Sequence, residues 1–163
     1  MASDFFLTTS DYPFEKYYSD YDISNETKDK LEKADILVLP APYESSKYYF
    51  SQEAVGFVKY CKSINKDVET DILADEDKIE VRALHSFDIW MPIIWISSTT
   101  VLPIALGLVT NYVYERMKGR ENEECTVKLT MIVKDGNVTK ELRYDGDAKA
   151  FKDTFEKIDI HKL

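Results

Sequence analysis

Histidine and cysteine, from which most metal and nucleophilic sites are built, number only two each in this sequence. That is too few for a zinc cluster, and the distance between Cys61 and Cys125 does not suggest a disulfide scaffold. No glycine-rich phosphate loop of the GxGxxG or GxxxxGKS/T kind occurs. His85 beside Ser86 is weak evidence for a triad, because triads assemble in space and not by adjacency. We predict no catalytic residue, no metal and no cofactor, and we favour a non-enzyme.

Glycine and proline are also scarce, at five each in 163 residues. Flexible linkers are rich in both, so their scarcity favours a compact fold with short connections. The length suits one domain that is large enough to bury a core. We predict a single domain over residues 1–163, in which residues 1–23 form an acidic, aromatic arm or an edge strand.

Basic residues are fewer than acidic ones, since the formal net charge is −9 and the pI is about 4.8. A negative surface repels phosphate backbones and no dense cluster of Lys and Arg occurs, so nucleic acid is not an expected partner. The first residues, MASDFFLTTSDYPF, lack the basic start and apolar run of a signal peptide. We therefore expect a cytoplasmic protein.

The first half of the chain alternates strand and helix patterns. Residues 35–42, DILVLPAP, form a short apolar run that predicts a strand buried on both faces. A loop follows, and Ser51 is a candidate N-cap for a helix that ends near Ser63. Residues 66–74 supply a second strand, so this order predicts a parallel pair with a crossover helix.

The second half ends in a hairpin and a helix. Apolar and polar residues alternate along residues 127–134, Asp135-Gly136 predicts a turn, and residues 138–144 return as the partner strand. Asp147 then caps an amphipathic helix. The predicted fold is α/β, with α+β as the alternative: a mixed sheet of four to five strands, a long central hydrophobic helix and a C-terminal hairpin-helix.

The central helix is predicted from residues 89–114, which contain no charged residue. Their number exceeds the roughly 20 residues that cross a bilayer, so a single-pass membrane span is one interpretation. A span would leave a lone hairpin and helix on one side, which is a poor independent unit. We favour a two-part core helix, with Pro92 in its first turn and a break near Pro103.

A helix that is apolar on every face must be covered on every face, and this predicts a partner surface. The helix residues assigned to that surface are Trp95, Leu102, Leu106, Val109 and Tyr112. Aromatic rings beside carboxylates also suit docking into an apolar groove with a basic rim. The arm residues assigned to the same role are Phe14, Tyr17 and Tyr18.

A ligand site is the remaining alternative, and in an α/β sheet it would lie beyond the carboxyl ends of parallel strands. Carboxylate, hydroxyl and lysine groups there suit Mg²⁺ or a polar ligand, although solvated loops are the simpler interpretation. The residues concerned, within loops 42–50 and 74–77, are Glu44, Ser45, Lys47, Asp75 and Asp77.

Three segments, LPIALGLVTNYVYERMKG, VKLTMIVKDG and RYDGDAKAF, resemble the ends of small uncharacterised prokaryotic proteins, some of them from bacterial conflict or defence gene clusters. The resemblance covers most of residues 34–158 and implies a prokaryotic cytosolic accessory protein. Its shared positions are packing residues, so no catalytic residue carries over. Our leading hypothesis is a non-catalytic protein-interaction component or small subunit of a bacterial cytosolic complex, with a protein partner or a second copy as the ligand.

Overall fold

A six-stranded mixed sheet forms the frame of the molecule. The computed structural model describes residues 4–10, 24–43, 47–74, 81–82, 88–120, 124–136 and 138–156. The strands of the main sheet are β1 (Asp4–Ser10), β2 (Ile36–Leu39), β5 (Thr70–Ile72), β7 (Ile89–Ile96), β8 (Thr126–Asp135) and β9 (Val138–Asp147). They are arranged in the order β1-β9-β8-β7-β2-β5.

Three short strands and four helices complete the described structure. The strands β3 (Ala41–Tyr43), β4 (Lys47–Ser51) and β6 (Val81–Arg82) form a second, smaller sheet in that order. The helices are α1 (Asn25–Leu31), α2 (Ala54–Ile64), α3 (Leu102–Met117) and α4 (Ala148–Glu156). The predicted α/β class with a mixed sheet is confirmed, and the main sheet has six strands rather than four or five.

The predicted strand–helix–strand unit of the first half is present. β2 pairs with β5 in parallel, with Ile36 opposite Thr70, and α2 connects the two strands. The loop expected between β2 and α2 instead forms the antiparallel pair β3–β4. Ser51 therefore ends a strand, and the N-cap position of α2 is Glu53, whose side chain does not cap the helix.

The predicted C-terminal hairpin and helix are confirmed. β8 and β9 pair antiparallel over their full length, with Asp135 opposite Val138 across the turn. Asp147 begins the last helix, since its Oδ1 accepts a hydrogen bond from the Lys149 amide at 3.2 Å. β9 also pairs with β1 along all seven residues of β1, so residues 4–10 are an edge strand.

The prediction of one broken helix across residues 89–114 is wrong in its first part. Residues 89–96 form β7, a central strand that pairs antiparallel with β2 and parallel with β8. Pro92 lies in this strand, at a register shift between Trp90 and Ile93, where the ladder is already interrupted. The helix starts only at Leu102, with Pro103 in its first turn.

The membrane alternative required one helix across the same stretch, and the structure divides it into strand, turn and helix. Within the residues described, no helix is long and apolar enough to cross a membrane.

The sheet is buried on both faces around its central strands β2 and β7. The larger core lies between one face and the helices α2, α3 and α4, and Phe57, Val109 and Phe151 contribute to it. A smaller cluster lies on the opposite face, with Leu31 of α1 against Leu37 and Trp95. Neighbouring residues of β2 enter different cores, as expected for a strand that is buried on both sides.

Candidate functional site

A polar cleft lies where the start of α2 meets the end of α3. Its volume is about 430 Å³. The residues that line it are Gln52, Glu53, Gly56, Asp88, Tyr112, Arg116 and Arg120. They come from three places: the β4–α2 junction, the residue before β7, and α3 with the turn that follows it.

Glu53 is the centre of the cleft and is only 5% exposed. Its Oε1 accepts a hydrogen bond from the Tyr112 hydroxyl at 2.7 Å. The same oxygen lies 3.0 Å from Nε of Arg116, and Oε2 accepts from Nη2 of Arg116 at 3.3 Å. A buried carboxylate is tolerated only when it is paired and hydrogen-bonded, and both conditions are met here.

Tyr112 holds the carboxylate from the core side. Its ring packs edge-on against Phe57 and Tyr60, with ring centroids 5.5 and 5.4 Å away. Burial raises the pKa of Tyr112, and the hydrogen bond and negative charge of Glu53 raise it further. Tyr112 therefore remains a neutral phenol that donates its proton to Glu53.

Gly56 allows the Tyr112 hydroxyl to reach this position. A Cβ atom at residue 56 would lie 2.8 Å from that hydroxyl oxygen. This distance is shorter than real Cβ contacts, so a side chain at residue 56 and the Tyr112–Glu53 hydrogen bond compete for the same space.

Two arginines face the open side of the cleft. Arg116 is bound side-on through Nε and Nη2, and its side chain is still 44% exposed. The chain then turns at Gly119, whose φ of +84° suits glycine, and the Arg120 amide donates to the Met117 carbonyl at 2.9 Å. This turn places Arg120 in the cleft lining, and within the described residues its guanidinium has no hydrogen-bond or carboxylate partner.

Gln52 and Asp88 lie on the opposite wall. Nε2 of Gln52 donates to the Asp88 carbonyl at 3.0 Å, and Oδ1 of Asp88 accepts from the Thr126 amide at 3.2 Å. These bonds connect the start of α2 to the starts of β7 and β8. The wall is therefore fixed to the sheet, and it presents oxygen atoms where the arginines present N–H groups.

The helix residues predicted to form a partner surface are buried inside this chain. Trp95 is a β7 residue, and the other four lie on the core side of α3; all five are at most 8% exposed. The residues concerned are Trp95, Leu102, Leu106, Val109 and Tyr112. The sheet and α2 cover the four helix residues, and Trp95 packs with Leu31 of α1 on the opposite face. All five are therefore corrected from partner surface to core, with Tyr112 also reaching the cleft. Phe14, Tyr17 and Tyr18 lie outside the described residues.

The predicted ligand residues are not brought together in the described structure. Glu44, Ser45, Asp75 and Asp77 lie outside the described residues. Lys47 begins β4, where its backbone pairs with Tyr43. The sequence does not indicate the cleft, because Glu53 lies at the start of one helix and Arg116 at the end of another, and no local pattern connects the two.

Metal and thiol chemistry have little basis in the described residues. No group of three His, Cys, Asp or Glu side chains there is arranged to hold a metal ion. Both cysteines are buried and free. Burial raises the pKa of Cys61 to about 12, so its reactive thiolate is suppressed.

Comparison with known proteins finds no matching family model, no matching curated protein and no matching solved structure.

Proposed function

We propose that this chain is a non-catalytic protein-interaction component of a cytoplasmic complex, and that it assembles by adding a strand to the outer edge of β1. The strand that we assign to that edge is β1 of a second copy. The resemblance of residues 34–158 to small prokaryotic accessory proteins supports a role of this kind.

The observation that carries the proposal is the difference between the two edges of the main sheet. β5, at one edge, has three residues and includes Asp71. β1, at the other edge, has seven residues and pairs with β9 without a register shift. No described strand pairs with its outer side. Natural edges are blunted by shortness, lysine, proline or bulges, and β1 has none of these.

The sequence of β1 also suits pairing with itself. DFFLTTS contains a single charged residue, Asp4. Antiparallel pairing centred on Leu7 places Asp4 opposite the second copy's Ser10, and Phe6 opposite the second copy's Thr8. No like charges meet in this register, and a two-fold axis would extend the sheet continuously through both copies.

Light scattering coupled to size-exclusion chromatography, over a range of protein concentrations, tests the proposal. The unmodified chain is expected to form a dimer. Thr8→Lys and Thr9→Lys, which charge the two faces of β1 in turn, are each expected to weaken the dimer by about tenfold or more, because each change acts twice in a symmetric pair.

Asp71→Lys is the matched control, since it introduces the same side chain at the other edge of the sheet. It is expected to leave the dimer unchanged. An unmodified chain that remains monomeric at every concentration contradicts the proposal. A dimer that neither β1 variant weakens contradicts it also, provided that circular dichroism shows the variants to be folded.

A further inference from the structure

We propose that the cleft at Glu53 binds a small ligand that carries an oxyanion, a phosphate or carboxylate group, between Arg116 and Arg120. The proposal rests on the geometry of the cleft and is independent of the assembly at β1.

Arg116 is already oriented for this task. Glu53 holds it by one side, through Nε and Nη2, at 3.0 and 3.3 Å. The guanidinium has five N–H donors, so this contact leaves further donors, and the Arg116 side chain as a whole is 44% exposed. Because Glu53 is buried and fixed by Tyr112, the arginine loses little further freedom when an anion binds.

Arg120 supplies the second donor set. It lies four residues after Arg116, past the turn at Gly119, and lines the same cleft. The chain has only four arginines, against 30 acidic residues, and two of the four meet here. Guanidinium groups bind carboxylates and phosphates through paired N–H bonds, so their convergence indicates oxyanion recognition.

The opposite wall restricts which anions fit. Glu53 and Asp88 balance the charge of the two arginines, so the cleft has no net positive field for a polyanion such as nucleic acid. A volume of about 430 Å³ is at the small end of ligand pockets, which run from roughly 300 to 1,000 Å³.

Three probes with the same carbon skeleton distinguish binding of a phosphate, of a carboxylate and of hydroxyl groups alone: glycerol 3-phosphate, glycerate and glycerol. They carry a phosphate, a carboxylate and no charge, respectively, and all carry hydroxyl donors. The measurement is an NMR titration of the arginine Nε–Hε signals. Four arginines give four signals, and Arg143, which does not line the cleft, acts as the internal control in every spectrum.

We expect at least one anionic probe to shift the Arg116 and Arg120 signals with saturation, while the Arg143 signal stays nearly unchanged and glycerol causes no saturable shift. The stronger anionic probe identifies the anion class, phosphate or carboxylate. Arg120→Gln is expected to weaken binding about tenfold or more, because it removes charge-assisted hydrogen bonds. It leaves the Glu53–Arg116 pair in place, so the fold is retained.

Arg143→Gln is the matched control, since Arg143 contacts Glu141 on the sheet and does not line the cleft. It is expected to leave the affinity unchanged. Equal shifts of all four arginine signals, or no saturable shift with either anion, overturn the proposal. Saturable binding that Arg120→Gln does not weaken overturns it as well.

Discussion

Glu53 is a buried carboxylate whose partners lie far from it in the sequence. The carboxylate is stable in the core only because Tyr112 and Arg116 satisfy it. Arg116 lies 63 positions away along the chain, and nothing near either residue indicates the pairing. Local patterns predict the helix start at Glu53 and the helix end at Arg116, but the cleft arises from tertiary contact between the two helices.

Gly56 and Tyr112 form a pair whose coupling is measurable. Gly56→Ala alone should destabilise the protein by about 1 to 3 kcal/mol, because the new methyl group meets the Tyr112 hydroxyl oxygen at 2.8 Å. In a Tyr112→Phe background that oxygen is absent and the nearest ring atom is 3.8 Å away. There the same change should stabilise by up to about 1 kcal/mol, because alanine is the better helix former.

Urea unfolding of the four proteins in this double-mutant cycle gives the coupling free energy. Equal effects of Gly56→Ala in both backgrounds would show that the hydroxyl does not fill the space above Gly56.

Among the secondary-structure elements, β7 and α3 show that an apolar run alone does not distinguish a buried strand from a buried helix. The β8–β9 hairpin was predictable because apolar and polar residues alternate along β8, as they do in a strand with one polar face. β7 is buried on both faces, so its sequence, IWMPIIWI, has no alternation. A continuous apolar run of this kind has the same pattern as a buried helix segment. Residues 97–114, which follow β7 and include most of α3, are uncharged as well, so residues 89–114 resemble one long helix.

α3 is less completely covered than its sequence suggested. Its core side is buried, while one stripe along the helix is exposed and includes Ile104, Gly107, Asn111 and Tyr114. Gly107 was expected to admit a neighbouring backbone, and no heavy atom lies within 4 Å of a Cβ built there. The described structure therefore presents this stripe without a packed neighbour at Gly107.

Gly107→Ala consequently should stabilise the protein by up to about 1 kcal/mol, the usual gain for this exchange inside an exposed helix. Ala105→Gly, two residues away on the buried side, is the matched reverse change and should destabilise by at least as much, since it also removes a fully buried methyl group. Thermal and urea unfolding measure both. Destabilisation by Gly107→Ala would show that this face of α3 is covered.

For the whole molecule, the sheet connects all parts of the described structure. β2, β7 and β8 lie in its centre and carry residues into both cores. The three strands of the second half of the chain lie between strands of the first half, since β9 pairs with β1 on one side and β7 pairs with β2 on the other. This arrangement predicts that the two halves of the chain unfold together as one cooperative unit.

The two cysteines test this cooperativity from opposite parts of the larger core. Cys61 lies in α2 and Cys125 precedes β8, and both are at most 3% exposed. In Cys61→Ser and Cys125→Ser variants, the single remaining thiol should react with an aromatic disulfide reagent only through global opening. Both thiols should then give the same opening free energy and the same dependence on urea.

The labelling is best done near neutral pH. Burial raises the pKa of Cys61 to about 12, above its value in the unfolded chain, so this thiol's contribution to stability is fully present below the unfolded value and is lost as the pH rises towards 12. A much faster reaction of one thiol, with a weak dependence on urea, would show that α2 or the start of β8 opens by itself and that the halves are not one cooperative unit.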